Sequence, residues 1–311
     1  MLPFYIFETL SVIYLVGTLL SVFFLLKKRP TNFLLGRILP SILIIGLILL
    51  VEIQIEPYQI NIRRQDIQIG KTTSNLKIAL ISDFHLSPLK NDGYLERVAK
   101  KINQENPDLI LFAGDFLFYD HIEKYSSDFT IFKKFSAIAP TYTVFGNHDY
   151  GIGDSRHSHL YFDQHEKLAK LLEKAGVKVL VDASDNIIIK GEEIQLVGFD
   201  EFWHSSKNPA QAIKNVEGKG LKIGLSHNPD AAYLPESQNL DIILSGHTHG
   251  GQLRLPLIGA LAEAETFFPR SDYGHFINNS KPKIFNTVGL GESGLPIRFF
   301  NHPEIAILNI Q

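Results

Sequence analysis

Cysteine is absent from all 311 residues. Disulfides, Cys-ligated zinc and thiol catalysis are therefore excluded. Any transition metal has to be held by His, Asp, Glu or Asn. A large excess of either charge is also lacking: 30 Lys and Arg stand against 33 Asp and Glu, for a formal net charge of −3, so the chain carries no basic footprint for nucleic acid and no nucleic-acid partner is expected. Internal repeats and low-complexity tracts are missing outside the N-terminal segments. What is present is enough chain for one large domain plus extras, with the excess hydrophobicity gathered at the N-terminus.

Leu2 to Leu26 carries Glu8 as its only charge, and exceeds the ~20 residues that span a bilayer. No basic residue precedes it and no small-x-small cleavage site is evident, which separates it from a signal peptide. A second apolar run, Phe33 to Val51, is broken only by Arg37, whose long side chain can reach the interface. We expect a transmembrane helical hairpin over 1–52, a juxtamembrane connector with edge strands over 53–75, and a catalytic domain over 76–311. Lys27, Lys28, Arg29 and Arg37 in or beside the connection predict a cytoplasmic turn and an extracytoplasmic domain on a bacterial inner membrane. Arg63, Arg64 and Lys71 pull the other way, and a second run that only dips into the interface would leave the domain cytoplasmic.

Between Glu52 and Asn75, Ile60, Ile62, Ile67 and Ile69 alternate with polar residues as a half-buried strand pair would. From Leu76 onward strands alternate with helical spacings, which argues an α/β domain. Strands are expected at Leu76–Ile81, Leu109–Phe112, Tyr142–Phe145, Val177–Val181, Ile187–Ile189, Ile194–Val197, Leu221–Leu225 and Leu240–Leu244. Helices are expected at Tyr94–Gln104, Phe129–Ile138 and Glu166–Lys174.

Several strands end in residues that bind metals. The first runs into Ser82-Asp83-Phe84-His85, the second into Gly114-Asp115, the third into Gly146-Asn147-His148-Asp149. A fourth reaches Ser226-His227-Asn228 and a fifth Gly246-His247-Thr248-His249-Gly250. On a strand, residues i and i+2 face one side, so Asp83 with His85, and His247 with His249, are expected to point together. Taken singly, Asp83 reads as a helix N-cap, Asp115 as a turn residue and Asn147 as a left-handed turn. Together they form a mixed nitrogen–oxygen donor set suited to Mn, Fe or Zn and large enough for two ions.

In that order these motifs resemble the calcineurin-like metallophosphoesterase superfamily, from Leu76 to the C-terminus. Gly289-Leu290-Gly291 and Gly294-Leu295-Pro296-Ile297-Arg298 further resemble its bacterial membrane-attached phosphodiesterases. The resemblance implies a four-layer α-β-β-α sandwich of two mixed sheets and a dinuclear centre. Asp83, His85 and His249 would hold one ion, Asn147, His227 and His247 the other, with Asp115 bridging. His148 would protonate the leaving oxygen or stabilise charge, and Asp149 would orient His148. Hydrolysis of a phosphate ester follows, with phosphodiesterase as the main reading. The alternatives are a pyrophosphatase similar to the UDP-2,3-diacylglucosamine hydrolases of lipid A synthesis, acting on the cytoplasmic side, and a non-catalytic metal-binding scaffold. The substrate is phosphate-containing and, in one reading, lipid-linked.

Three stretches lie outside the motifs. Asp154 to Asp163 holds Arg156, His157 and His159 and reads as a solvated loop that could overhang the metals. Asp200 ends a strand near the cleft without being a ligand, and Phe202 and Trp203 read as packing residues. Leu255 to Phe268 is apolar and ends in Phe267-Phe268, either as a satellite core or as a lip facing the bilayer.

Overall fold

The computed structural model describes residues 12–23, 27, 38–72, 74–118, 122, 129–153, 162–261, 276–277 and 282–311. Arg156, His157, His159, Phe267 and Phe268 lie outside the described residues.

Helix α1 (Val12–Phe23) is short. Helix α2 (Leu39–Ile55) has apolar residues exposed on its surface, Ile42 at 59% and Ile45 at 57%. With the 3-10 turn Glu56–Tyr58 it is the one helix among the described residues that is long and apolar enough to cross a membrane.

Two six-stranded sheets follow. The first contains β1 (Asn61–Ile67), β2 (Leu76–Ile81), β3 (Leu109–Ala113), β4 (Thr141–Val144), β5 (Val177–Val179) and the C-terminal β14 (Glu304–Ile310). Its order is β1-β14-β2-β3-β4-β5. β14 is parallel to β1 and antiparallel to β2, and β2 to β5 are all parallel. The second contains β6 (Ala183–Ile189), β7 (Glu192–Gly198), β8 (Leu221–Leu225), β9 (Ile242–Ser245), β12 (Phe276–Ile277) and β13 (Lys283–Asn286), in the order β12-β13-β9-β8-β7-β6. A two-stranded hairpin, β10 (Arg254–Leu255) and β11 (Gly259–Ala260), stands apart.

The inner strands β2, β3, β8 and β9 are apolar on both faces because both faces are covered, whereas the edge strands β1 and β6 carry polar, exposed residues. Period-two alternation divides each between two cores. Ile78 and Leu80 enter the cluster between the sheets, where they meet Leu196, Ile223, Leu225, Ile242 and Leu244. Ala79 and Ile81 point the other way, toward Tyr94, Leu95, Val98 and Ile102 of α3 (Asp92–Glu105) and the buried face of α5 (His165–Lys174). A third cluster joins Val197 and Ile243 to Ala212 of α6 (Pro209–Ala212), to Ala231 and Ala232 of the 3-10 turn Pro229–Tyr233, and to Leu234 and Leu240 on either side of the turn Pro235–Asn239. The result is a mixed α/β fold of two packed sheets, with helices outside the first and a thinner layer of turns outside the second.

Local chemistry explains the helix ends. Asn91 caps α3 by accepting from Tyr94 N at 3.2 Å, and Asn106 closes it at φ 50° just before Pro107. The expected helix over 129–138 is instead a 3-10 turn, Thr130–Phe132, followed by the single-turn α4 (Lys133–Ser136). Phe129, at φ 55° and fully buried with Phe132 and Phe135, fixes that irregular path. The expected strand pair before Asn75 is one strand, β1, paired with β14 rather than folded on itself.

Candidate metal centre and active site

The site lies at the C-terminal ends of β2, β3, β4, β8 and β9, where the two sheets meet. Its residues do not converge through strand alternation. Asp83, His85, Asp115, His247 and His249 all lie beyond the strands, at φ 52°, 42°, 55°, 73° and 50°. That left-handed conformation is uncommon for residues other than glycine, and it turns each side chain inward. Gly246 has to be glycine, because a Cβ there would collide with Ser82 and stand 2.7 Å from Asp83 Oδ2. Gly146 is held the same way against Asp115.

Each carboxylate has one oxygen anchored and one facing the cluster. Asp83 Oδ2 accepts from Ser82 Oγ at 2.5 Å and from His247 N at 3.2 Å. Its Oδ1 is buried without a hydrogen bond, 3.4 Å from His249 Nε2 and 3.9 Å from His85 Nε2. Asp115 Oδ1 accepts from His148 N at 3.0 Å. Its Oδ2 lies 3.2 Å from His227 Nε2, 3.5 Å from His85 Nε2 and 4.0 Å from His148 Nε2. Asp115 therefore stands between the His85 side and the His227 side.

The imidazoles are oriented from behind. His227 Nδ1 is 2.7 Å from Ala113 O and His249 Nδ1 is 3.1 Å from Gly291 O. A hydrogen bond of this kind puts the proton on Nδ1 and leaves the Nε2 lone pair free for a metal. His249 Nε2 then faces His85 Nε2 at 3.1 Å, and His227 Nε2 faces His247 Nδ1 at 3.1 Å. Asn147 donates through Nδ2 to Ile152 O at 2.7 Å, which leaves Oδ1 buried with no partner.

These observations fit divalent ions. With the His249 proton on Nδ1, its Nε2 lone pair and His85 Nε2 stand 3.1 Å apart, close enough for one cation to take both, and orphaned buried oxygens such as Asp83 Oδ1 and Asn147 Oδ1 are costly unless something binds them. Ligand atoms of Asp83, His85 and His249 lie within 4.8 Å of one another, as do those of His85, Asp115 and His148, and those of Asp83, Asp115 and His227. Burial is the main cause holding His85, His148, His247 and His249 below the usual imidazole range, which keeps their lone pairs available. Burial also opposes charge on His227, but the Asp115 carboxylate, 3.2 Å from its Nε2, outweighs it and raises His227 well above that range; without an ion Nε2 holds a proton there, and a cation at that point would take the proton's place. Asp115, despite burial, is held well below the usual carboxylate range by His227 and His148.

Asp149 departs from expectation. Its carboxylate does not reach the His148 ring. Oδ2 accepts from Asp115 N and Gly146 N, each at 3.0 Å, and Oδ1 from Phe116 N at 3.0 Å and Leu117 N at 3.1 Å. Fully buried behind the site, it binds the β3 and β4 loops together, because four backbone donors of those loops converge on its two oxygens. Burial and the neighbouring Asp115 push its carboxyl up to about 8.

Residues that sequence reasoning set aside also border the site. Trp203, 38% exposed, stands edge-on to His247 at 4.7 Å. Asp200 accepts from Tyr150 Oη at 2.5 Å and lies 2.7 Å from His204 Nδ1. Phe118 flanks both His85 and His148, at 4.8 and 4.9 Å. Asn301 went unnoticed altogether, and its Nδ2 donates to His249 O at 2.6 Å. No motif marks these residues; only the fold brings them near.

A two-sheet α/β fold with a buried histidine–carboxylate cluster at its strand ends defines a metallophosphoesterase. The sequence model of the calcineurin-like phosphoesterase family matches residues 76–251, and the chain belongs to that family. It is a hydrolase of phosphate esters, with a buried His/Asp site that fits divalent metal ions. Phosphodiesterase YaeI of Escherichia coli is 30% identical over 237 residues, 75% of this chain and 82% of that protein. UDP-2,3-diacylglucosamine pyrophosphatase LpxG of Chlamydia muridarum is 25% identical over 302 residues, 82% of this chain and 90% of that protein. Among solved structures, the NAD nucleotidase of Haemophilus influenzae superposes with a TM-score of 0.44 at 19% identity, covering 70% of this chain and 46% of the other.

Proposed function

We propose that this chain is a membrane-anchored phosphodiesterase working at a dinuclear centre. One observation carries the reading: Asp115 Oδ2 lies 3.5 Å from His85 Nε2 and 3.2 Å from His227 Nε2, between two sets of metal-binding atoms. In this reading Asp83, His85 and His249 hold one ion and Asn147, His227 and His247 the other, with Asp115 shared. Mn, Fe or Zn would suit the donors. Two such ions supply Lewis acidity and water of lowered pKa.

The protein's own groups do the rest. His148, with a side chain 9% exposed beside Asp115, gives a proton to the leaving oxygen. Asp115 Oδ1 holds His148 by its backbone N–H, so ligand and acid keep a fixed spacing. The nearly closed cluster excludes bulk water and strengthens each electrostatic contact. Trp203 offers an aromatic wall at the His247 side for the leaving group.

The test is hydrolysis of a soluble aryl phosphodiester by purified protein loaded with each metal in turn, with elemental analysis of the same samples. Hydrolysis with a metal content near two ions per chain is expected. Two bound ions without turnover on any ester would point to a scaffold instead.

A second reading is favoured by one further observation. The relative from Chlamydia muridarum carries a lipid pyrophosphatase name, and its likeness spans 90% of its own length. A lipid-linked phosphoanhydride would then be the substrate, on the cytoplasmic face. Under the first reading Pro40–Tyr58 crosses a bacterial inner membrane and the domain lies outside the cytoplasm. A reporter fused to the C-terminus distinguishes the two sides.

A further inference from the structure

The hairpin β10–β11 ends in Pro256-Leu257-Ile258, and this tip is apolar where solvent would favour polar residues. Leu257 is 108% exposed, Ile258 72% and Leu261 57%. Leu257 also sits at φ 68°, a conformation that suits glycine or asparagine. Phe300 repeats the pattern, 55% exposed at φ 50°. Both backbone and water therefore disfavour these side chains, and neither packs into a core.

Their position supplies the reason. At the hairpin's root Arg254 N donates to Phe299 O at 2.9 Å and Phe299 N to Gln252 O at 3.2 Å. The same 298–300 segment grips the end of α2: Arg298 N donates to Ile53 O at 3.4 Å and Phe300 N to Glu56 Oε2 at 2.8 Å. Leu295, 42% exposed, is tied to this root through Gln252 Nε2 at 3.0 Å. The tip, Leu295, Phe300 and Ile55 at the end of α2 thus belong to one hydrogen-bonded unit. If α2 spans a bilayer, its end marks the interface, and the other three groups stand at that same interface.

We propose that the 254–261 hairpin, with Leu295 and Phe300, is a second membrane-contacting element. It seats Leu257 and Ile258 at the headgroup–acyl boundary of the leaflet from which α2 emerges, a depth typical of interfacial apolar residues. This rests on the reading of α2 as a membrane span. Because Arg254 Nη1 donates to Gly250 O at 3.0 Å, the hairpin would hold the His249 loop, and with it the mouth of the metal centre, close to the lipid phosphates.

The absence of native cysteine permits a direct test. Full-length L257C, I45C and I188C proteins are each labelled with an environment-sensitive fluorophore and reconstituted into phosphatidylcholine–phosphatidylglycerol vesicles with or without spin-labelled lipid. Ile188, 79% exposed on the β6–β7 turn, is the remote control. The label at 257 is expected to lose emission to a quencher near the headgroups, the label at 45 to a quencher deep in the acyl chains, and the label at 188 to neither. Quenching at 45 with none at 257 overturns the hairpin contact and leaves the span standing. Quenching at 257 alone removes the span and overturns the hairpin's place as a second element beside it, leaving a lone interfacial contact. Quenching at neither overturns both. Metal content equal to that of the unsubstituted protein verifies that each labelled protein is folded.

Discussion

Asp149 Oδ2 accepts the backbone N–H of Asp115 at 3.0 Å. The same oxygen takes Gly146 N at 3.0 Å, so one buried carboxylate joins the loop carrying Asp115 to the loop carrying Asn147. Asp149→Ala is expected to lower stability by about 3 kcal/mol, since unsatisfied buried donors cost about 1–3 kcal/mol each and water can recover part of the loss. Asp149→Asn, which keeps one accepting oxygen, should fall between. Urea unfolding of the metal-free proteins measures both. An unchanged midpoint in Asp149→Ala, with only turnover lost, would return Asp149 to a role beside His148.

His247 and His249 are neighbours in sequence with different partners in space. His249 Nε2 is 3.1 Å from His85 Nε2, and His247 Nδ1 is 3.1 Å from His227 Nε2. Replacing either with alanine should remove one ion and spare most of the other, whereas Asp115→Ala should deplete both. Elemental analysis after dialysis decides. Equal loss of both ions from His247→Ala and His249→Ala would contradict a two-sided centre.

His148→Ala should keep its metal. If the ring protonates the leaving oxygen, turnover falls by ~10²–10⁴. The loss should shrink for esters whose leaving group is already a weak base, since those need no proton. A uniform loss across leaving groups would assign His148 to charge stabilisation instead.

Lys90 gives the fold a pH signature. It is 1% exposed by side chain, 3.1 Å from Glu292, and donates to Pro57 O at 2.5 Å. Burial, only partly offset by Glu292, lowers it from 10.5 to about 8. The native state then releases this proton before the unfolded chain does, so between those two values stability rises with pH. The full effect is about 3 kcal/mol at 1.4 kcal/mol per unit. Lys90→Met should lack this rise, so the unsubstituted protein gains on it from pH 8 to 10 in thermal unfolding. Parallel curves would show that Lys90 does not titrate in this range.

Much of the fold was legible because its inner strands are buried on both faces. Leu76–Ile81 and Leu109–Phe112 read as strands from composition alone, and their alternate residues do enter two different cores. β13 and β14 are not among the expected strands, although Ile305–Leu308 is an unbroken apolar run. Glu304 and Asn309 bound that run, and nothing local says that a distant strand will enter the first sheet between β1 and β2. At the site, residue types at strand ends were legible, but the reason for their convergence was not. Alternation of i and i+2 predicts one shared face, whereas Asp83 and His85 lie past the strand in left-handed turns. Asn301 and Trp203 carry no motif, so their closeness to His249 and His247 is tertiary information alone.

The place of β14 also dictates an order of events during synthesis. Among the described residues β1 pairs only with β14, Asn61 opposite Glu304 and Ile67 opposite Ile310, and β14 in turn separates β1 from β2. The strand adjoining the N-terminal helices therefore leaves the ribosome early and waits, unpaired, for almost the whole domain. Such long-range pairing is slow and exposes a sticky edge meanwhile. A nascent chain truncated before Glu304 would present β1 and one side of β2 as open edges, a natural target for chaperones and proteases. Completion of the sheet would then act as the checkpoint that separates finished molecules from fragments.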